Sequence, residues 1–255
     1  MASVVHPDEL QPHHADGGEV RVTFGSHNGS QRLRQIVVRL RPGQSHGGRM
    51  EHDQQAVLYV ATGTGTLTVD GTSYPLEPDT AAYVVPGEAV TLANDGVSDL
   101  VIVDVRAPRD REPAAADRKT IIRCSDQPEL EASPERTFRY LVNEDAGCFD
   151  VTQFLGVVQP SKAPLHSHPY DEVGYIVSGN GIAHIDDDQM PLRAGSCFHL
   201  APEEVHTIEN VGPGPMRILG VFHPSGSPAS RSYQDNNAKD AASNAARHPI
   251  EEEDE

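Results

Sequence analysis

Three histidines and one glutamate in the second half of the chain have the residue types and spacing of metal ligands. His166 and His168 lie two residues apart, so on an extended strand both imidazoles point to the same face. Glu172 follows in the stretch P-L-H-S-H-P-Y-D-E-V-G-Y-I-V-S-G-N-G, and His206 lies farther along the chain. Neutral imidazoles with one carboxylate suit a divalent first-row metal. The sequence therefore predicts a mononuclear site of three histidines and one glutamate.

Short strands must position these side chains, because apolar and polar residues alternate along most of the chain. Runs such as V-R-V-T-F, R-Q-I-V-V-R-L and A-V-L-Y-V are separated by turn residues, among 22 glycines and 20 prolines. No long apolar stripe of helical period interrupts them. This pattern predicts an all-β chain.

The two halves of the chain repeat each other. A shift of 116 positions places His52 on His168 and Tyr59 on Tyr175, and no gap is needed over residues 50–94. A repeat of roughly 100 residues is longer than a solenoid unit. We therefore expect two copies of one small all-β domain.

The first copy has lost most of the ligand set. The residues at its four ligand positions are, in order, Met50, His52, Ala56 and Val90. Turn residues such as Gly63 and Asn94 are kept, and His46 could add only one ligand. We expect this copy to serve as a packing partner and pocket wall rather than as a second metal site.

Both ligand motifs resemble those of the cupin superfamily. Residues 166–179 read H-x-H, three residues, Glu, six residues and Gly; residues 195–210 have a glycine, a proline before the histidine, and an asparagine at the end. The pattern departs from the family at Pro160 and Glu203, where glycines are usual, and at Pro202, which lies one place late. The resemblance covers both halves and implies a bicupin, two tandem jelly-roll barrels with the metal motif intact only in the second.

Composition and strand pattern divide the chain into five segments. We expect a flexible tail over 1–18, an N-terminal barrel over 19–108, a connector over 109–135, a C-terminal barrel over 136–228 and a disordered acidic tail over 229–255. The last segment has too little apolar content to form a core.

Two histidines that occur only in the second copy are candidate catalytic groups. His184 and His199 stand where the first copy has Thr68 and Tyr83. A histidine pKa near neutrality suits proton transfer beside a metal. The alternative is a hydrogen-bonded strand histidine that faces solvent or another sheet.

The ligand set favours Fe(II) or Mn(II), with Ni(II), Co(II) or Zn(II) as alternatives, and the absence of thiolate ligands disfavours structural zinc.

The first hypothesis is a dioxygenase-type enzyme acting on a small substrate with adjacent oxygens: a catechol, an enediol or a 2-oxo acid. The second is redox-neutral Lewis-acid catalysis by an isomerase, cyclase, decarboxylase or hydrolase. Bicupin oxalate decarboxylases usually keep ligands in both barrels, whereas ureidoglycine aminohydrolases are more similar in having one C-terminal site. The third is a cupin that binds a small metabolite without turnover.

Composition argues against nucleic acid and membranes as partners, and a small-molecule substrate is expected instead. A net charge of −18 argues against nucleic acid and against an anionic membrane surface. Three widely spaced cysteines and no apolar leader predict a reduced, cytoplasmic protein without a signal peptide. Exposed sheet edges in such barrels often lead to homodimers.

Overall fold

The computed structural model describes residues 3–15, 17–111, 118–230 and 232–233, and their regular secondary structure is almost entirely β-strand. The first half contains β1 (Val4–Val5), β2 (His13–Ala15), β3 (Gly18–Phe24), β4 (Arg34–Leu40), β5 (Ser45–Arg49), β6 (Gln54–Thr62), β7 (Gly65–Val69), β8 (Thr72–Leu76), β9 (Thr80–Val84), β10 (Ala89–Ala93), β11 (Leu100–Pro108) and β12 (Ile121–Arg123).

The second half repeats this order. It contains β13 (Leu130–Ser133), β14 (Arg136–Val142), β15 (Thr152–Val158), β16 (Ser161–Lys162), β17 (His166–Ser167), β18 (Asp171–Ser178), β19 (Asn180–Ile185), β20 (Asp188–Arg193), β21 (Cys197–Leu200), β22 (His206–Asn210), β23 (Met216–His223) and β24 (Ser232–Tyr233). Three short 3₁₀ helices lie at Pro7–Glu9, Cys124–Asp126 and Glu144–Ala146. No helix in the described ranges is long and apolar enough to cross a bilayer.

Each half folds into a jelly-roll-like sandwich of one large and one smaller antiparallel sheet. The N-terminal barrel pairs the sheet β12-β9-β6-β11-β4-β3-β2 with β5-β10-β7-β8. The C-terminal barrel pairs β1-β21-β18-β23-β15-β14-β13 with β20-β19-β22-β17-β24, and β16 also pairs with β22. Separate apolar cores fill the two barrels. The structure thus confirms the all-β, two-barrel fold.

The repeat extends to side-chain contacts at the barrel turns. Asn94 and Asn210 are both buried, and each Nδ2 donates to two backbone carbonyls, at 2.7 and 2.8 Å and at 2.7 and 2.9 Å. Gly63 and Gly179 both adopt positive φ, 81° and 94°, which glycine adopts without strain. These residues preserve the fold in both halves whether or not the ligands are present.

The two barrels exchange edge strands. The strand β1, which lies before the N-terminal barrel in sequence, is an edge strand of the large sheet of the C-terminal barrel; β12, which lies before the C-terminal barrel, is an edge strand of the large sheet of the N-terminal barrel. In β1, Val5 pairs with Cys197 of the C-terminal barrel, and in β12, Ile122 pairs with Ala81 of the N-terminal barrel. The expectation of a flexible tail over 1–18 is therefore corrected, since β1 and β2 are paired strands. The physical reason is that a sheet edge offers unpaired backbone groups, which an extended apolar dipeptide satisfies.

The other segment boundaries shift more modestly. β12 and β13, both inside the expected connector over 109–135, belong to the sheets of the N-terminal and C-terminal barrels respectively. The expected acidic tail lies outside the described residues beyond Tyr233. Cys124, Cys148 and Cys197 are buried free thiols.

The outer faces of the two large sheets pack against each other in a shared apolar cluster. It includes Val57 and Val103 from the N-terminal barrel and Val173 and Val221 from the C-terminal barrel. Because side chains alternate along a strand, Val173 at this interface directs its neighbour Glu172 into the C-terminal barrel. Packing between the barrels therefore helps to orient a candidate ligand.

Candidate metal centre

The four predicted ligands come together inside the C-terminal barrel, and each is more than nine-tenths buried. His166 and His168 lie in and just after the short strand β17, and His166 is paired in register with His206 at the start of β22. Glu172 comes from the facing sheet, in β18. The site is thus assembled from both sheets of one barrel.

Three of these residues form a compact donor group. One ligand atom from each of His168, Glu172 and His206 can be chosen so that all lie within 4.8 Å of one another. His168 Nε2 lies 2.8 Å from Glu172 Oε2. The ring of His166 packs beside the group, with its centroid 4.5 Å from that of His206.

Backbone carbonyls hold two of the imidazoles in one tautomer. His166 Nδ1 lies 3.2 Å from the carbonyl oxygen of Pro164, and His206 Nδ1 lies 2.8 Å from that of Glu204. A carbonyl only accepts, so each Nδ1 carries the proton and Nε2 keeps its lone pair. Metal-bound histidines usually have this arrangement. The donor set therefore fits a divalent cation.

Charge and burial affect the two central histidines differently. Burial lowers the pKa of His206 to about 4, so this imidazole is neutral near pH 7. Burial also acts to lower the pKa of His168, but the hydrogen bond to Glu172 and its charge outweigh this effect and raise that pKa. Metal ligands must be deprotonated. A cation would therefore compete with a proton mainly at His168.

The ligands line a cavity of about 80 Å³ that is otherwise mostly apolar. Phe138, Phe154 and Phe222 form part of its wall, together with the buried Arg136. Arg136 donates a hydrogen bond to the carbonyl of Ile208. Within the described residues, the ionisable side chains that line this cavity are the four candidate ligands and Arg136.

Sequence reasoning missed Arg136, although a signal was present. Arg136 and Phe138 occupy alternate positions in β14, so the two side chains share the face that lines the cavity. An arginine two positions from a buried aromatic residue on the same strand lies on the interior face of the sheet. This is unusual, because burying a charge is costly.

His184 is not part of the cavity wall, which corrects its expected role as an acid or base beside the metal. Its Nε2 lies 2.7 Å from Glu209 Oε2, and its Nδ1 lies 3.4 Å from Lys162 Nζ. Its strand neighbours Ala183 and Ile185 belong to the barrel core. Alternation along β19 therefore turns His184 to the outer face of the sheet.

His199 is likewise outside the cavity, and its expected catalytic role is corrected for the same reason. Phe198 and Leu200 occupy the interior positions of β21, so His199 faces the N-terminal barrel. There its Nε2 lies 2.6 Å from Asp171 Oδ1, and its ring centroid lies 5.7 Å from that of Phe24. His199 is a contact between the barrels.

Comparisons with known proteins agree with this architecture. The Cupin_2 family model, described as a cupin domain, matches residues 36–106 and 154–222. The oxalate-binding protein of Thermotoga maritima is 33% identical over 63 residues, covering 24% of this chain and 52% of that protein. The chain spans about half the length of the curated relatives it matches.

Two solved structures share the fold over most of their length. The crystal structure of protein Ylba from E. coli has a TM-score of 0.70 at 16% identity, covering 88% of this chain and 91% of that one. The S161A mutant of Bacillus subtilis oxalate decarboxylase OxdC has a TM-score of 0.73 at 13% identity, covering 94% and 83%. At these identities the likeness establishes the two-barrel fold.

Proposed function

The chain belongs to the cupin family, and from this premise we propose that it is a metal-dependent bicupin enzyme acting on a small, oxygen-rich metabolite. The proposed chemistry is of the dioxygenase type, at one mononuclear site held by His166, His168, Glu172 and His206. The solved two-barrel structures that support the fold include oxalate decarboxylase of B. subtilis, which has Mn(II) centres. We accordingly favour Mn(II) or Fe(II) in this chain.

One observation carries the choice of reaction type. Within the described residues, the cavity wall has no histidine, carboxylate, lysine or tyrosine beyond the proposed ligands. Isomerisation or cyclisation needs a group that moves a proton to or from the substrate. When bound, Fe(II) or Mn(II) would supply open coordination positions and electron transfer to dioxygen, chemistry that does not require such a group.

Arg136 indicates the substrate class. A guanidinium binds a carboxylate through two parallel hydrogen bonds, and the surrounding phenylalanines exclude water and strengthen that attraction. The cavity of about 80 Å³ accommodates only a small ligand. Among the substrates with adjacent oxygens, we therefore favour a short 2-oxo acid or a comparable carboxylate.

A second candidate is redox-neutral decarboxylation. It is favoured by the short match to an oxalate-binding protein and by the fold shared with an oxalate decarboxylase. Oxalate also has the adjacent oxygens and the negative charge that a metal and Arg136 would recognise. The two candidates differ in whether dioxygen is consumed.

The proposed function is tested by reconstituting the chelator-treated protein with Fe(II) or Mn(II) and adding short 2-oxo acids or oxalate, in air and under argon. We expect substrate-dependent oxygen uptake with product formed only in air. Carbon dioxide release at an equal rate under argon would instead support decarboxylation. A ligand that raises the melting temperature but is never consumed would support a non-enzymatic binder, since binding to the native state stabilises it.

Arg136→Gln is expected to raise KM by at least about tenfold, because a charge-assisted hydrogen bond contributes roughly 1.5–3 kcal/mol and 1.4 kcal/mol corresponds to tenfold. Arg136→Lys should lie between wild type and the glutamine variant. The matched control is Arg139→Gln, on the same strand, where the guanidinium pairs with Glu129 instead. An unchanged KM in a folded, metal-loaded Arg136→Gln protein would remove Arg136 from the substrate site.

A further inference from the structure

The N-terminal barrel has a second cavity, of about 230 Å³ and partly open to solvent, at the place of the lost ligand set. Its wall includes Met50, Ala56 and Val90, the residues that stand where the second copy has His166, Glu172 and His206. The sequence predicted only a packing role for this barrel. A cavity of this volume leaves room for a small ligand, which a packing role alone does not use.

Polar side chains line one wall of this cavity. Asp104 and Arg106 lie on β11 in phase with the core residue Ile102, so all three share the interior face. Arg106 Nε and Nη2 donate to Asp104 Oδ2 at 3.1 and 3.0 Å. The repeat places Gly220 and Phe222 at the same positions in the C-terminal barrel, so this ion pair is specific to the N-terminal one.

Two buried polar atoms in the cavity wall have no hydrogen-bond partner in the structure. Asp104 is 5% exposed, and its Oδ1 is unpaired although Oδ2 accepts twice. His46 Nδ1, in the facing strand β5, is also unpaired. Leaving buried polar groups unsatisfied is costly, so each of these atoms is expected to bond to water or to a bound ligand. Asp104 Oδ1 requires a donor, an O–H or an N–H.

Guanidinium groups at the cavity wall offer positive charge to a ligand. Arg49 also lines the cavity, so two guanidinium groups accompany the single buried carboxylate. Glu51 lies within Coulombic range of Arg106; Glu51 and Arg49 are both exposed to solvent, where their charges are screened, so Arg106 is the better-buried cation of this wall. A ligand that satisfies this wall carries a hydroxyl donor and a carboxylate on one small skeleton.

We propose that the N-terminal barrel is a binding site for a small 2-hydroxy acid, separate from the metal centre. The hydroxyl of the ligand donates to Asp104 Oδ1, and its carboxylate lies toward Arg106 and Arg49. His46 Nδ1 completes the polar wall. The apolar side chains that replaced the metal ligands form the opposite side.

Gly48 offers a way to block the cavity without disturbing its polar wall. Gly48 lines the cavity on the same face of the edge strand β5 as His46, and a Cβ added there meets nothing within 4 Å. Gly48→Leu should therefore fold and fill the cavity. The matched control is Gly214→Leu, in a turn of the C-terminal barrel where an added Cβ also meets nothing within 4 Å.

The experiment titrates glycolate, L-lactate and D-glycerate into the chelator-treated full chain by calorimetry. At least one probe should bind the wild type and Gly214→Leu equally, and bind Gly48→Leu and Asp104→Asn at least tenfold more weakly. A His168→Ala/His206→Ala/Arg136→Gln variant should bind as the wild type does, which separates this site from the metal centre, where Arg136 is the proposed carboxylate-binding group. Binding of no probe at 10 mM, or equal binding by folded Gly48→Leu, would overturn the proposal.

Discussion

His168→Ala combined with His206→Ala is expected to reduce bound metal from about one ion per chain to less than a tenth of that value, and to abolish turnover. These residues supply two of the three mutually close donor atoms of the site. Loss of a hydrogen-bonding partner behind a metal ligand already weakens binding by about 10- to 100-fold, so loss of two ligands has a larger effect. The measurement is elemental analysis of protein purified without a metal-affinity tag.

The control for this experiment is His184→Ala. His184 is as well buried as the proposed ligands and belongs to the same barrel, but it pairs with Glu209 on the outer face. Its replacement should leave the metal content unchanged. Equal metal content in the double variant and the wild type, with both folded by circular dichroism, would contradict the proposed centre.

Asp150→Ala is expected to lower the free energy of unfolding by about 1–3 kcal/mol, the usual cost of leaving a buried hydrogen-bond donor without its acceptor. Asp150 is 3% exposed and joins the barrels. Its Oδ2 accepts from Gln55 Nε2 at 3.1 Å, and its Oδ1 accepts from Arg111 Nε at 3.0 Å. The backbone amides of Asp110 and Arg111 also donate to it. The replacement leaves the buried Gln55 amide without this acceptor at the interface between the barrels, whereas the exposed Arg111 can bond to water.

Denaturant unfolding measures this loss, with Asp145→Ala as the control. Asp145 is five residues away and exposed, so its replacement should change the free energy by less than about 0.5 kcal/mol. If Asp150→Ala lowers the free energy of unfolding by less than about 1 kcal/mol, the network contributes little to holding the barrels together.

The Asp150 network also predicts how the difference in free energy of unfolding between the wild type and Asp150→Ala depends on pH. Burial acts to raise the pKa of Asp150, but hydrogen bonds from Arg111 and Gln55 outweigh it and hold the pKa below its ordinary value. A carboxyl whose pKa is lower in the folded state stabilises that state above its unfolded pKa, roughly 3.9. This contribution is lost as the pH falls through the folded pKa. The stability gap between the wild type and Asp150→Ala should therefore narrow below about pH 4.

The fold and the proposed ligand set could be predicted from the sequence because their signals are local. Alternating residues predicted the strands, and the ungapped repeat predicted two barrels. His166 and His168 are two residues apart, and the structure brings both beside Glu172 and His206. The identity of the metal and of the substrate stays a prediction.

The role expected of His184 and His199 depended on which face of a strand each occupies, and the sequence left that open. The strand neighbours of His184 in β19 and of His199 in β21 pack into the barrel core. Because side chains alternate along a strand, both histidines therefore lie on the opposite face, away from the cavity. Residues expected in a tail and a connector became strands β1 and β12, because each sheet edge had backbone groups to satisfy.

The sequence by itself determined the strands, the repeat and the candidate ligands, since each depends on residues close together or on a motif read in order. Only the tertiary structure decided that Arg136 lies in the metal cavity and that Asp104, Arg106 and His46 line a second one. The physical reason is that a cavity is made by side chains from strands far apart in the chain. Its lining depends on register and on sheet packing, which no local pattern encodes.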